Sequence, residues 1–215
     1  MMNDCTEARF LRDVVEHEMV VIRDNGVSRH LRFHKPGTYC MHFDLITWPG
    51  YLCYTGDMGT YVFQRLEDMF EFFRTDRKHM HLRDGKTLAI NLSYWGEKLE
   101  AVDRHGGYRE WSKEKFEARV REDFTRWLED EEIARTDELQ DRFDAEVLGA
   151  MEDGKVAAYQ AAQGFEIDGW FPFQDWWEVN SDEYTSQFIW CCYALAWGIQ
   201  KYDESKMETV EAQTV

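Results

Sequence analysis

The strongest functional signal in this chain is a cluster of acidic residues in segments predicted to be helical, whose carboxylates could form a binding surface. Eight of them form what we call the acidic row: Glu129, Asp130, Glu131, Glu132, Asp137, Glu138, Asp141 and Asp144. The first four are consecutive at a predicted helix end, and the last four follow at spacings of three and four, which place carboxylates about 5–6 Å apart on one helix face. Duplex DNA carries one charge per about 1.7 Å of its axis. The row could therefore imitate part of a phosphate track. It would equally serve as a solvated face that aids solubility.

The negative charge of the chain is concentrated around this row. Residues 129–183 contain 17 Asp and Glu against 3 Lys and Arg, a net of −14 out of −17 for the whole chain. Residues 1–128 contain 21 acids and 20 bases. Like charges at i, i+4 cost a few tenths of a kcal/mol per pair when nothing neutralises them. We therefore expect this segment to bind a protein with a basic surface, and we expect no direct binding of nucleic acid or of a membrane.

A second candidate site lies at a turn in the predicted sheet. The segment Gly56–Gly59 contains Asp57 between two glycines, and it could present a carboxylate or backbone N–H groups to a ligand. It also fits a plain hairpin turn. The pocket expected there is formed by Trp48, Tyr54, Asp57 and Tyr61. A nucleotide-binding or small-molecule-binding protein, or an enzyme with a dispersed site, is therefore the alternative function.

The chain contains none of the common catalytic or cofactor motifs. A phosphate-binding loop, G-x-S-x-G, G-x-G-x-x-G and H-E-x-x-H are all absent. We assign no catalytic residue, and whether the protein is an enzyme stays open, with a non-enzymatic role favoured. His79-x-His81 and Cys40-x-His42 resemble half-sites for zinc, but neither is joined by a second pair at zinc-site spacing. We therefore expect no metal and no cofactor.

Five cysteines at irregular spacing indicate reduced thiols rather than a disulfide framework. The N-terminus shows no signal peptide, and the apolar run at residues 188–199 is too short to cross a bilayer. These features predict a cytosolic protein.

A β-meander must position the second site. Residues 19–64 contain five apolar or alternating runs, and turn signals such as Asn25-Gly26, Pro36-Gly37 and Pro49-Gly50 separate them. Short strands at this spacing are typical of an antiparallel sheet.

Residues 65–205 are predicted to be mainly helical. A helix stripe follows the meander, formed by Leu66, Met69, Phe70 and Phe73. Ser112 can cap a helix that runs to about Glu132, and Thr136 or Asp137 can cap the next. A short helix is expected at residues 156–163, an aromatic loop at 169–173 and a long helix at 181–202. In that long helix we expect three aromatic residues to face the core: Trp190, Tyr193 and Trp197.

The resulting fold class is α+β. We expect a single domain over residues 1–215, in which an N-terminal antiparallel β-meander of about five strands packs with helices and a C-terminal acidic helical lobe follows. Residues 206–215 are expected to form a solvated tail.

Two stretches resemble uncharacterised proteins encoded by tailed phages and prophages. The first is FDLITWPGYLC at residues 43–53 with GDMGTYVF at 56–63, and the second is IWCCYALAWGIQKYD at 189–203. The resemblance implies a phage accessory protein acting in the cytoplasm of a bacterial host. By analogy with small acidic phage proteins, it suggests an inhibitor of a host defence system such as a CRISPR effector or a restriction enzyme. An oligomeric structural or replication accessory is a further alternative, and a homodimer stays open.

Overall fold

The computed structural model describes residues 5–79, 87–104 and 106–213. The chain divides into two compact units: unit 1 is Met1–Arg109 with Tyr184–Val215, and unit 2 is Glu110–Glu183. The α+β class predicted from the sequence is confirmed, with strands concentrated in the N-terminal half. The single domain over residues 1–215 stays a prediction.

Unit 1 is built on a six-stranded antiparallel sheet in which each strand pairs with the next one along the chain. Its strands are β1 Glu18–Asn25, β2 Ser28–His34, β3 Phe43–Trp48, β4 Tyr51–Gly56, β5 Gly59–Gln64 and β6 Leu99–Ala101. The first five confirm the predicted meander. The sixth has only three residues, too few to give an alternating pattern that can be recognised in a sequence.

Helices account for most of the rest of the described chain. They are α1 Glu7–Asp13, α2 Met69–His79, α3 Leu92–Gly96, α4 Lys113–Asp130, α5 Asp137–Phe143, α6 Lys155–Gly164 and α7 Ser186–Gln213. A π-helical turn at Asp144–Leu148 and a 3-10 turn at Gly149–Asp153 continue α5. A second small sheet pairs β7 Arg109–Trp111 with β8 Asp182–Tyr184.

Three sequence expectations are corrected at element boundaries. Leu66 lies in a bend and is exposed, because α2 begins only at Met69. Residues 182–184 form β8 rather than the start of the last helix, which begins at Ser186. That helix continues past Tyr202 to Gln213 and so includes most of the expected tail. Among the described residues, no helix combines the length and apolarity that a bilayer crossing requires.

The core of unit 1 lies between α7 and one face of the sheet. The strands place alternate residues on that face, all of them fully buried: Leu31, Phe33, Phe43, Leu45, Leu52, Tyr54, Tyr61 and Phe63. Trp190 and Tyr193 of α7 are buried, and the half-buried Trp197 ring lies 5.5 Å from that of Phe33. The predicted packing role of these three α7 residues is confirmed.

The helix approaches the sheet most closely at Gly198. A Cβ atom at this position would lie 2.9 Å from Leu45 Cδ1 and 3.2 Å from the ring of Phe33. Glycine in mid-helix is about 1 kcal/mol less favourable than alanine. The close approach of α7 to β2 and β3 offsets that cost.

An ion pair between buried Arg29 and half-buried Asp68 fixes the start of α2 beside β2. Arg29 Nη1 and Nη2 each donate to one carboxylate oxygen of Asp68, both at 2.8 Å. The guanidinium lies 4.6 Å from the Phe70 ring centroid, and Tyr202 Oη accepts from its Nε. Burial works to raise the pKa of Asp68, but the hydrogen bonds from Arg29 and the Phe70 amide, together with the charges of Arg29 and Arg74, hold that pKa below its usual value.

We predict that Gly198→Ala destabilises the protein although alanine is the better helix former. Overpacking a tight core costs about 1–3 kcal/mol, more than the gain in helix propensity. Urea denaturation should show a lower midpoint. Gly96→Ala is the matched control in the same unit, because a Cβ there would make only ordinary contacts of 3.4 Å or more. A higher midpoint for Gly198→Ala would contradict the close approach.

We also predict that Asp68→Asn lowers the free energy of unfolding by about 2–3 kcal/mol at pH 7, because the Arg29 guanidinium stays buried without its counter-charge. The pKa of Asp68 is lower in the folded state, so its contribution is complete above the unfolded value of about 4 and disappears as the pH falls through the folded value. The difference between wild type and variant should therefore shrink below about pH 4. A difference that stays constant down to about pH 2 would show that the ion pair is not its source.

Candidate functional site

The acidic row lies on unit 2, whose core holds the helices that carry it. α4 buries Phe116, Val120, Phe124 and Leu128 on one face, as its apolar stripe predicts. The Phe124 ring stacks on that of Phe143 at 4.3 Å between centroids, which fixes α5 against α4. The predicted caps are confirmed, since Ser112 accepts from the Lys115 amide and Thr136 accepts from the Leu139 amide.

The first half of the row surrounds the end of α4. Glu129 and Asp130 occupy its last turn, which contains no basic residue, and Glu131 is the C-cap. Glu132 adopts a left-handed conformation with φ of 53°. The Ile133 amide then donates to Leu128 O at 2.9 Å and closes the helix end. These carboxylates lie where the negative end of the helix dipole disfavours them.

The second half of the row lies on α5 and just after it. Asp137 and Glu138 occupy the first turn of α5, where the positive end of the helix dipole stabilises carboxylates. Asp141 is exposed on the same helix. Asp144 is half-buried, and it accepts hydrogen bonds from Gln140 Nε2 at 2.8 Å and from Arg121 Nη1 at 3.3 Å. Asp144 is thus already occupied within unit 2.

The other members of the row are exposed and have no ion-pair partner among the described residues. The two arginines nearest in sequence bond elsewhere. Arg135 donates to Gln140 Oε1 at 2.8 Å, and Arg142 pairs with Glu146 at 3.1 Å. The row therefore presents uncompensated negative charge to solvent.

The first part of α4 shows the opposite arrangement. Arg119 pairs with Asp123 at 2.8 Å, and Arg121 and Arg126 hold Glu117 and Glu122 at the same distance. Unit 2 contains 22 acids and 8 bases, a net of −14. Because the bases cluster in the first part of α4, most of that net charge falls on the row and on the segment after it.

Exposed aromatic side chains follow the row in the chain. The Asp168-Gly169 turn has φ of 50° and 88°, the geometry of a type I′ hairpin. It presents Trp170 and Phe171, which are 61% and 44% exposed, and Trp177 further along is 63% exposed. Three buried aromatics anchor this aromatic loop of residues 165–179 to the unit 2 core: Phe165, Phe173 and Trp176. A loop was predicted at residues 169–173, whereas its longer extent and the division into anchors and exposed rings follow only from the packing.

A groove of about 290 Å³ lies between α4 and the loop. Arg119, Asp123, Arg126, Trp127 and Asp130 line it from α4, and Pro172, Gln174, Trp176 and Val179 line it from the loop. Asp130 is the one member of the acidic row in this lining, and two arginines line the same groove. The exposed rings of Trp170, Phe171 and Trp177 are not part of it, so the groove does not unite them with the row.

The sheet site is only partly assembled. Asp57 and Tyr61 line a cavity of about 350 Å³ in unit 1, together with Asp103 and Gln187, which the sequence did not single out. Tyr54 is fully buried, and its hydroxyl has no hydrogen-bond partner among the described residues. Trp48 stacks on Tyr51 at the far end of β3. The structure therefore brings together two of the four expected residues.

Asp57 also has a structural task. Its Oδ2 accepts from the Met41 amide at 2.6 Å, and its Oδ1 lies 3.1 Å from His42 Nδ1. These contacts hold Met41 in a left-handed conformation with φ of 57°. The Asp57 carboxylate therefore lines the cavity and also stabilises the connection between β2 and β3.

The two pairs that resemble half-sites for zinc gain no further ligands in the described part of the chain. No group of three or more His, Cys, Asp or Glu is placed there to hold a metal ion, and His81 lies outside the described residues. All five cysteines are unbridged. Burial raises the pKa of Cys191 and Cys192 well above the ordinary value, so these thiols are unreactive.

No protein-family model, no curated protein and no solved structure matches this chain.

We predict that neutralising the end of α4 stabilises the protein at low salt. Changing Glu129, Asp130, Glu131 and Glu132 to Gln or Asn removes like-charge contacts and the unfavourable helix-dipole term, together worth about 1 kcal/mol. The gain in urea midpoint at about 20 mM NaCl should fade at about 1 M, where the Debye length is about 3 Å. Neutralising Glu117 and Glu122, which have arginine partners, is the matched control and should give no gain. An equal change in urea midpoint for the two variants would contradict the conclusion that the row carboxylates lack cation partners while Glu117 and Glu122 have them.

Proposed function

We propose that this protein binds a basic, nucleic-acid-binding protein through the acidic row and the neighbouring aromatic loop of unit 2, and so competes with nucleic acid for that partner. The observation that carries the proposal is the absence of cation partners for the exposed members of the row among the described residues. In the same unit, the arginines of α4 neutralise the carboxylates beside them. An external basic surface would supply the missing cations.

The chemistry of the surface specifies the partner. Carboxylates about 5–6 Å apart on a helix suit the spacing of Lys and Arg side chains that follow a phosphate backbone. Trp170 and Trp177 add flat, exposed rings on which a guanidinium can stack. Tryptophan and arginine are also the residues that dominate the energetics of protein interfaces. A nucleic-acid-binding groove with aromatic or arginine side chains meets both requirements.

Electrostatics would control how quickly and how tightly the complex forms. A net of −14 on unit 2 steers a basic partner towards it and raises the association rate at low salt. The same charge repels DNA and RNA, so the protein would occupy the partner without binding nucleic acid itself. We therefore expect partner binding to weaken with added salt.

The resemblance to phage proteins suggests where such a partner is found. A phage accessory protein in a bacterial cytoplasm would meet the CRISPR effectors and restriction enzymes of its host, all of which carry basic nucleic-acid channels. We propose inhibition of one of these defence systems, in the manner of a DNA mimic, as the biological role.

The test is affinity purification of host proteins on the tagged chain, followed by competition. At about 50 mM salt, we expect the chain to retain a nucleic-acid-binding protein that about 500 mM salt or excess duplex DNA releases, because phosphates compete for the same cations. The purified chain alone should not bind duplex or single-stranded nucleic acid at about 150 mM salt. Micromolar binding of either would contradict the proposal.

Two variants with opposite expectations make the test specific. Neutralising the exposed row residues should weaken the captured partner's binding at least tenfold, while neutralising Glu117 and Glu122 should leave it nearly unchanged. Trp170→Ala should weaken binding without altering its salt dependence, because it removes contact area rather than charge. Full binding by the row variant at both salt concentrations would end the DNA-mimic interpretation.

The cavity at Asp57 supports a second candidate function. Its volume of about 350 Å³ is that of a small-molecule site, but two carboxylates line it, and carboxylates repel phosphates. We therefore propose a neutral or cationic ligand there rather than a nucleotide. Such a ligand would raise the thermal midpoint of unit 1, and that rise should persist in the variant with a neutralised row.

A further inference from the structure

Strand β1 is an open edge of the sheet in unit 1. It pairs with β2 on one side and stands at the end of the strand order. In an antiparallel pair, alternate residues of an edge strand direct their N–H and C=O groups away from the neighbour. Within the described part of the chain, no backbone hydrogen bond engages β1 apart from its ladder with β2. This edge therefore offers unused donors and acceptors.

The middle of β1 carries apolar side chains that are exposed. Val20, Val21 and Ile22 are 42%, 48% and 49% exposed. Proteins usually protect such edges with lysine, proline, a bulge or a very short strand. β1 is eight residues long and contains no lysine or proline, and its one protective feature is the bulge at Ile22. Three consecutive exposed β-branched residues on an open edge favour pairing with another strand.

A bulge at Ile22 gives the two ends of this run the same orientation. Glu18, Val20 and Arg23 pair with three alternate residues of β2, His34, Arg32 and His30. Because alternate residues of a strand share a face, Glu18 and Arg23 also share a face although they are five positions apart. Each lies two ladder positions from Val20, one before it and one after it. An acidic and a basic residue therefore lie at equal ladder distances on either side of Val20, so two copies of the strand that pair antiparallel at Val20 would bring opposite charges together.

We propose that β1 is a self-association strand, which pairs antiparallel with β1 of a second copy of this chain about a two-fold axis at Val20. This pairing extends the six strands of each copy into one continuous sheet. It places Glu18 of each copy opposite Arg23 of the partner subunit, on the same face, and it covers the apolar run. In the described part of the chain neither Glu18 nor Arg23 has an ion-pair partner, so both are available for the second copy.

A charge swap in the full-length protein tests the pairing. Glu18→Arg and Arg23→Glu each place like charges opposite one another twice in the symmetric dimer, and each should weaken dimerisation at least tenfold in sedimentation equilibrium. The double variant restores both pairs and should dimerise like wild type. An equimolar mixture of the two single variants should form the mixed dimer, because each chain then supplies what the other lacks.

Matched charge reversals keep the result interpretable. Glu67→Arg and Arg65→Glu change exposed residues outside β1 and should leave dimerisation unchanged. Circular dichroism should show that all variants fold. A wild-type protein that stays monomeric up to about 1 mM, the weak end of specific association, would overturn the proposal. A dimer that tolerates both single reversals would overturn the assignment to β1. Neither outcome bears on the acidic row, since both concern unit 1 alone.

Discussion

The packing of α7 across the sheet is the constraint on which unit 1 depends. One strand face is apolar from β2 to β5, and a single long helix covers it. The approach is so close at Gly198 that even a methyl group would require Leu45 and Phe33 to move. A helix held this near to the strands cannot shift along its axis without moving the Trp190 and Trp197 rings out of their contacts with Phe43. The register of the helix and the register of the meander are therefore determined together.

The sequence predicts the parts of this arrangement that come from local patterns. Turn residues at regular intervals define the five strands of the meander, and Ser112 and Thr136 mark the starts of α4 and α5 because their side chains cap those helices. Strand β8 is missed because three polar residues carry no periodic signal, and they form a strand only through pairing with β7. Leu66 fits the helix period but lies in a bend, since Asp68 Oδ1 bonds the Phe70 amide at the start of α2.

Candidate sites show the same limit more clearly. The acidic row can be read from spacing alone, since its members lie on one chain segment. Whether a carboxylate has a cation partner depends on arginines elsewhere in unit 2. The ion pair of Asp144 with Arg121 could therefore not be predicted from the sequence. At the sheet site, Asp103 and Gln187 join Asp57 through chain folding over long sequence distances. Tyr54 looked equally suitable, but its position on the inner face of β4 directs it into the core.

Unit 2 is continuous in the chain, whereas unit 1 is assembled from the segments before and after it. The exposed carboxylates and aromatic rings of unit 2 surround a hydrophobic core of its own. No residue of the six-stranded sheet belongs to that core. Mutations can therefore accumulate on the surface of one continuous segment while the packing of the sheet and α7 stays unchanged. If unit 2 carries the proposed partner surface, exchanging a single stretch of coding sequence, residues 110–183, alters recognition without replacing the strands or the long helix of unit 1.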